Sequence, residues 1–211
     1  MMASSRIERE LLAPGRPVRS GVMVAVVGAS GVGKDTLIKG ARRQFSEHED
    51  VLFVKRVITR PADAVGENHR SVSLEHFERV EAEGGFAVSW HAHGLGYGVP
   101  IDVDTHVGRG GVAIVNGSRA ALAVMAKRYQ HLVIVNVTAD RDTLARRLAA
   151  RGRESHDQIL ARLARTETCA FDHHLENAVK IDNSGPVAQA VAALVGEIRK
   201  ALAFTAVSDV I

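Results

Sequence analysis

Six apolar residues in succession, Val22-Met23-Val24-Ala25-Val26-Val27, stop at a glycine. From Lys34 to Gln44 the apolar positions take up a helical spacing. A short unbroken apolar run bounded by turn residues reads as a strand buried on both faces, and the spaced stretch reads as an amphipathic helix. Further strands are expected at Val51 to Val57, Val112 to Val115, Leu132 to Val137 and Val179 to Ile181. Helical patterns lie between them at Ser118 to Arg128, Arg141 to Ala150 and His156 to Thr168, and a last one runs from Pro186 to Ala203. Strands alternating with helices predict an α/β fold around a parallel sheet, here of five strands flanked by helices. From Thr59 to Pro100 the rhythm breaks into short pieces rich in Gly and His, which reads as an inserted region rather than another strand–helix unit.

The 211 residues suit one domain with a substantial core, here assigned to 21–211, with 1–20 expected to be a mobile extension outside the fold. The net charge of +3 and an aromatic content of 4% offer neither a stacking surface for nucleic acid nor a basic face for a membrane. Cys169 is the one cysteine, which excludes an internal disulfide and fits a reducing cytoplasm. No segment has the makeup of a signal peptide or a membrane span. The oligomeric expectation is a monomer or a homodimer.

The strongest chemical signal is Gly28-Ala29-Ser30-Gly31-Val32-Gly33-Lys34-Asp35-Thr36, placed between the first strand and the first helix. Its glycines let successive N–H groups point at a phosphate above a helix N-terminus, and Lys34 adds a charge that can bridge two phosphates. A glycine-rich turn that binds nothing is the bland alternative, and the strand before and helix after argue against it. The loop predicts a nucleoside triphosphate, ATP with Mg²⁺. The usual Ser or Thr after the lysine is replaced by Asp35, with Thr36 next. Either Asp35 and Thr36 belong to the Mg²⁺ shell, or Asp35 simply favours the positive end of the helix dipole.

Three other regions carry polar chemistry. Arg56 and Arg60 flank Thr59, and Tyr97 stands between Gly96 and Gly98, a combination suited to a second phosphate. His91 and His93 suggest a metal pair, but no third ligand follows at a suitable spacing, which favours solvent-facing or hydrogen-bonded histidines. Arg147, Arg151, Arg153, Arg162 and Arg165 surround a polar break at about 151–157. They are either a closing lid that neutralises charge on a transferring phosphoryl group or ordinary solvated arginines, and Arg151 and Arg153 beside Gly152 are the better candidates.

The loop, Ile58-Thr59-Arg60-Pro61 with Gly66-Glu67, the expected turn Gly96-Tyr97-Gly98 and Arg151-Gly152-Arg153 together resemble the guanylate kinases. The resemblance runs in order from about Val22 to the last helix. It implies a P-loop nucleoside monophosphate kinase-like fold with an acceptor-binding insertion at about 58–100 and an Arg-rich lid. Two departures concern the acceptor. Where those kinases carry an acidic residue that reads guanine, this chain has Ser89, and their Asp-Ile-Asp strand end is here Ile114-Val115-Asn116. A site lacking the hydrogen-bonding groups for a base discriminates strongly against it. Lys34-Asp35, Glu67-Asn68-His69, the segment Ser89 to Leu95 and Val115-Asn116-Gly117-Ser118-Arg119 resemble the ribose 1,5-bisphosphate phosphokinases of phosphonate catabolism. That resemblance implies phosphoryl transfer from ATP to a small sugar bisphosphate, giving 5-phosphoribosyl 1-diphosphate.

On this reading the loop residues and Lys34 hold ATP, and Arg151, Arg153 and Arg162 close over the transferring group. Arg60 and Tyr97, by match to the guanylate kinase phosphate site, grip an acceptor phosphate with help from Arg56. Ser89, Asn116, Ser118 and Arg119 complete the acceptor side. No general base is visible, and none is required, since an acceptor phosphate with a second pKa near ~6 is already charged at neutral pH. The competing readings are a kinase for a nucleoside monophosphate, a non-catalytic guanylate-kinase-like binding module, which the intact Gly33 and Lys34 oppose, and a gluconate-like sugar kinase, which lacks a base to deprotonate a hydroxyl.

Overall fold

The structure, a computed structural model, describes residues 18, 20–60, 69–150 and 173–208. In chain order its elements begin with β1 (Val22–Val27), α1 (Lys34–Gln44), β2 (Val51–Phe53), β3 (Val57–Ile58), β4 (Arg70–Ser71) and α2 (Leu74–Ala82). Next come β5 (Phe86–Ala92), β6 (Leu95–Pro100), α3 (Asp102–Gly108), β7 (Val112–Asn116) and α4 (Leu122–Arg128), the last preceded by a 3₁₀ turn at Arg119–Ala121. The chain continues with β8 (Leu132–Thr138), α5 (Arg141–Ala150), β9 (Val179–Asp182) and α6 (Val187–Ser208). The expected helix at 156–168 and Cys169 lie outside the described residues.

Five strands form the main sheet in the order β2-β7-β1-β8-β9, every pairing parallel, with β1 at its centre. Alternation along the strands builds two cores, because successive side chains leave opposite faces. Val22, Val24 and Val26 of β1 join Leu37 and Ala41 of α1, Leu144 and Leu148 of α5, and Leu194 and Ile198 of α6. Met23, Ala25 and Val27 face the other way, onto Val103 and Val107 of α3 and Leu122 and Met125 of α4. Burial on both faces is why β1 reads as a continuous apolar run. Among the described residues no helix is long and apolar enough to cross a membrane.

Two expectations change. The apolar run 51–57 is not one strand. Val51 to Phe53 pair with β7, Val54 N–H still donates to Ile114 O at 2.9 Å, and the chain then leaves for a second sheet at Val57. A continuous run carries no mark of a change of sheet. Val18, inside the expected extension, is 1% exposed and bridges with Tyr129 in parallel. Its N–H donates to Arg128 O at 2.7 Å and its carbonyl accepts from Gln130 N–H at 3.0 Å, so Val18 is packed against the main domain.

The inserted region is the second sheet, in the order β4-β3-β6-β5. Its hairpin β5–β6 turns at His93 and Gly94, with φ of 53° and 72°. Two consecutive left-handed residues make the tight turn whose twist matches an antiparallel pair. Gly96-Tyr97-Gly98 is therefore strand rather than turn. A Cβ on Gly96 would stand 2.8 Å from the Phe77 ring of α2, and one on Gly98 would stand 2.5 Å from the Phe86 ring. Both glycines are bare so that these rings, stacked at 4.7 Å, can lie on the sheet.

At the end of the main sheet remote from the loop, Asp104 is buried and accepts hydrogen bonds from Arg128 Nε and Tyr129 OH, both at 2.9 Å, and from Arg128 Nη2. Burial, reinforced by the Asp104 charge, pushes the Tyr129 hydroxyl far above its ordinary pKa. This trio joins α3 to the end of α4.

Candidate active site

The loop between β1 and α1 passes through left-handed conformations at Gly28, Gly31 and Gly33, with φ of 144°, 94° and 96°. Gly28 lies so close to β8 that a Cβ there would meet Val137 O at 2.3 Å. The first helical bond of α1 runs from Leu37 N–H to Gly33 O at 3.1 Å, leaving the preceding amides for an anion. Lys34 curls back over the loop, its Nζ donating to Gly28 O at 2.8 Å and Ala29 O at 3.2 Å. The cation is thus held above the amides, which is where an oligophosphate needs it.

The loop is braced from the far side of β1. The Val32 carbonyl accepts hydrogen bonds from Asn183 Nδ2 at 2.7 Å and from Arg147 Nη1 at 3.1 Å, and Arg147 Nη2 donates to Asn183 O at 2.8 Å. Arg147 belongs to α5, and Asn183 follows β9 directly. Arg147, read as either a lid or a solvated arginine, instead braces the loop, and nothing in the sequence reading marks Asn183. The signal that could have found Asn183 is an Asn at the carboxyl end of a predicted edge strand, on the same side of the sheet as the loop.

Beside the brace, Thr143, Arg146, Arg147, Ala150 and Ser184 line an open cleft. Asp140 caps α5, accepting from Thr143 N–H at 2.7 Å and Thr143 Oγ1 at 3.0 Å, and its own N–H donates to Ser184 Oγ at 2.8 Å. The Thr143 backbone N–H, with its hydroxyl, holds the Asp140 carboxyl below the usual carboxylate range.

On the other flank of β1, the register pairs Val26 with Asn116 at the carboxyl end of β7. Asn116 Nδ2 donates to Asp35 Oδ1 at 2.7 Å, so the helix carboxylate and the strand amide, singled out separately, meet across the mouth of the loop. Gly117 N–H is bound to Val26 O at 2.9 Å, and Ser118 and Arg119 follow, both half-buried. The oxygens here are the exposed Asp35 carboxylate and the exposed Thr36 hydroxyl, hard donors that suit Mg²⁺. Among the described residues no three His, Cys, Asp or Glu gather to hold an ion unaided, so an ion here would take the rest of its shell from nucleotide oxygens and water.

The second sheet supplies the remaining candidates. Tyr97 lies opposite Trp90, their rings parallel at 5.3 Å and 5°. The Arg56 guanidinium sits 5.5 Å from the Tyr97 ring and 5.8 Å from the Trp90 ring, and Arg56 is only 7% exposed. The aromatic pair packs in the same core as Val27 and Val115, and β5 lies against the 3₁₀ turn at Arg119–Ala121. Thr59 is committed to the sheet, its N–H donating to Gly96 O at 3.1 Å and its Oγ1 accepting from Gly96 N–H at 2.9 Å. Arg60 follows the end of β3, where Ser71 Oγ donates to its carbonyl. Ser89 pairs with Gly98 and leaves the opposite face of β5 from Trp90, so it is not brought together with Tyr97. His91 is exposed with its ring edge-on to Phe77 at 5.8 Å, and His93 forms the hairpin turn. Arg151, Arg153 and Arg162, together with Glu67 and Asn68, lie outside the described residues.

Comparison with known proteins bears on this geometry. No family model matches the chain. It is 43% identical over 211 residues, the full length of both chains, to the ribose 1,5-bisphosphate phosphokinase PhnN of Chelativorans sp. (strain BNC1). It is 47% identical over 177 residues, 84% of this chain and 89% of the relative, to the protein of the same name from Rhizobium etli (strain CIAT 652). Among solved structures, the guanylate kinase from Anaplasma phagocytophilum matches with a TM-score of 0.62 over 86% of each chain at 16% identity, a likeness of fold.

Proposed function

The chain belongs to the ribose 1,5-bisphosphate phosphokinase family, and from that membership we propose that it transfers the terminal phosphoryl group of ATP to ribose 1,5-bisphosphate. The products are 5-phosphoribosyl 1-diphosphate and ADP, and the setting is phosphonate breakdown in the cytoplasm. The observation that carries the reading is the end of β7. There Asn116 presents its amide to Asp35 at the loop mouth, and Ser118 and Arg119 follow it, so the strand end carries an amide, a hydroxyl and a guanidinium and no carboxylate that would repel a sugar bisphosphate.

In the proposed reaction an oxygen of the acceptor's 1-phosphate attacks the γ-phosphorus of ATP. The bond from that phosphorus to the β–γ bridging oxygen breaks, and ADP keeps the electron pair. The attacking oxygen is already ionised, since the second phosphate pKa is about 6, so no side chain has to remove a proton. What the protein must supply is alignment and positive charge between two anionic substrates. The loop amides and Lys34 receive the ATP phosphates. The cleft between α5 and the β9–α6 connection takes the nucleoside end. Arg60, Tyr97 and Arg56 grip one acceptor phosphate, and Ser118 and Arg119 take the ribose and its other phosphate. Arg151, Arg153 and Arg162 neutralise the transferring group. Mg²⁺, held with the nucleotide by Asp35 and Thr36, would neutralise phosphate oxygens.

The test is a paired assay with ATP and either ribose 1,5-bisphosphate or GMP, followed by phosphorus NMR. A new diphosphate on ribose carbon 1 is expected from the first and no GDP from the second. GDP formation without the sugar diphosphate overturns the proposal.

A further inference from the structure

A carboxylate on the first turn of α1 and an amide at the end of β7 meet across the loop mouth. In the loop pattern the residue after the lysine is a neutral hydroxyl; here it carries a charge. Across from it, Asn116 is a neutral amide at the end of the strand adjacent to β1. The two side chains touch, 2.7 Å from Asn116 Nδ2 to Asp35 Oδ1.

The chemistry of that contact settles its direction. A carboxylate only accepts, so the amide must present its NH₂ group to Asp35 and turn its oxygen away. Asn116 Oδ1 is buried and accepts no hydrogen bond among the described residues, so the amide is anchored through its donor side alone. An aspartate at 116 would offer no donor and would set two anions in contact. Asp35 itself is exposed at the first turn of α1, free of any other hydrogen bond among the described residues that would fix its rotamer.

We infer that Asn116 is a positioning residue that aims the Asp35 carboxylate across the loop mouth, so that the negative charge on this flank of the site is carried by the helix and not by the strand. The pair keeps one carboxylate for the divalent cation that accompanies the nucleotide and takes it off the strand end that faces the acceptor. This rests on the assignment of Asp35 to the metal side of the site made above, and not on the identity of the acceptor.

The test therefore uses ADP and no acceptor. ADP affinity is measured calorimetrically with and without Mg²⁺ for the full-length protein and for Asn116→Ala, Asn116→Ser, Asp35→Asn and Asp35→Asn/Asn116→Ala, alongside water-proton relaxation of Mn²⁺–ADP bound to each. Asn116→Ala is expected to lose the Mg²⁺-dependent gain in ADP affinity by about tenfold, the scale of one hydrogen bond to a charged group, with metal-free ADP binding unchanged. Asp35→Asn is expected to lose the same gain, and the double variant no more than Asp35→Asn alone, since Asn116 acts only through Asp35. The relaxation of bound Mn²⁺–ADP shifts in parallel. Exchanging the two, Asp35→Asn with Asn116→Asp, returns a carboxylate to the flank and restores part of the gain. Equal losses with and without Mg²⁺, or a full further loss from Asn116→Ala in the Asp35→Asn background, overturn the inference. Asn116→Ser, which keeps a small polar side chain, guards against an unfolded alanine variant. A failed acceptor assay leaves these measurements untouched, so the two readings fail separately.

Discussion

Asn183 and Val32 stand 151 positions apart in sequence and are joined by a 2.7 Å hydrogen bond from the Asn183 amide to the loop carbonyl. The same amide nitrogen lies 2.5 Å from where a Cβ on Gly33 would be, so the contact both holds the loop and demands its last glycine. Asn183→Ala should cost about 1 kcal/mol of stability, the low end for a buried acceptor losing one donor, because Arg147 still bonds to Val32 O. It should raise the KM for ATP several-fold with little change for the acceptor. Thermal denaturation and steady-state kinetics with each substrate varied check both.

Lys34→Ala should leave the melting temperature near that of the parent while turnover falls by a factor on the order of 10² or more, the usual cost of losing one well-placed group that stabilises developing charge. A normal circular dichroism spectrum with unchanged turnover would refute the role given to Lys34.

Arg60→Ala should raise the KM for ribose 1,5-bisphosphate more than the KM for ATP. Equal effects on both would remove Arg60 from the acceptor site.

Gly98→Ala would drive a methyl group into the Phe86 ring and disturb the stack on Phe77. Overpacking of this kind costs about 1–3 kcal/mol. Because the damage falls on the second sheet, acceptor affinity should drop while ADP affinity, measured calorimetrically, stays within about twofold of the parent.

Asp104→Ala removes the carboxylate from the buried Arg128 guanidinium and from the Tyr129 hydroxyl. Removing one partner of a buried ion pair costs about 3–5 kcal/mol, so the unfolding midpoint in urea should fall steeply. Remote from the loop, the change should leave the KM values of the surviving folded enzyme unaltered.

The main sheet was legible because its strands are buried on both faces and its loop carries a pattern with a mechanism. The second sheet was not, since β3 and β4 are two residues each and show no period. Gly96 and Gly98 read as a turn because nothing local reveals that Phe77 and Phe86 need bare backbone there. Asp35 and Asn116 each stood out, but their meeting depends on the pairing of β7 with β1, which no spacing encodes. Ser89 drew notice as the residue standing where guanylate kinases carry an acid, and strand alternation then sends it to the face opposite Trp90 and Tyr97.

The order β2-β7-β1-β8-β9 has a consequence for reaction geometry. The sheet extends from β1 to β7 and β2 on one side and to β8 and β9 on the other, and the braces Arg147 and Asn183 come from the β8–β9 side while Asn116 comes from the β7 side. Phosphoryl transfer needs the entering and leaving oxygens on opposite sides of phosphorus. With the loop as the watershed, the proposed positions of ATP toward β8 and of the sugar bisphosphate toward β7 would bring the two together from opposed directions. Collinear attack would then follow from the topology, with the side chains refining it.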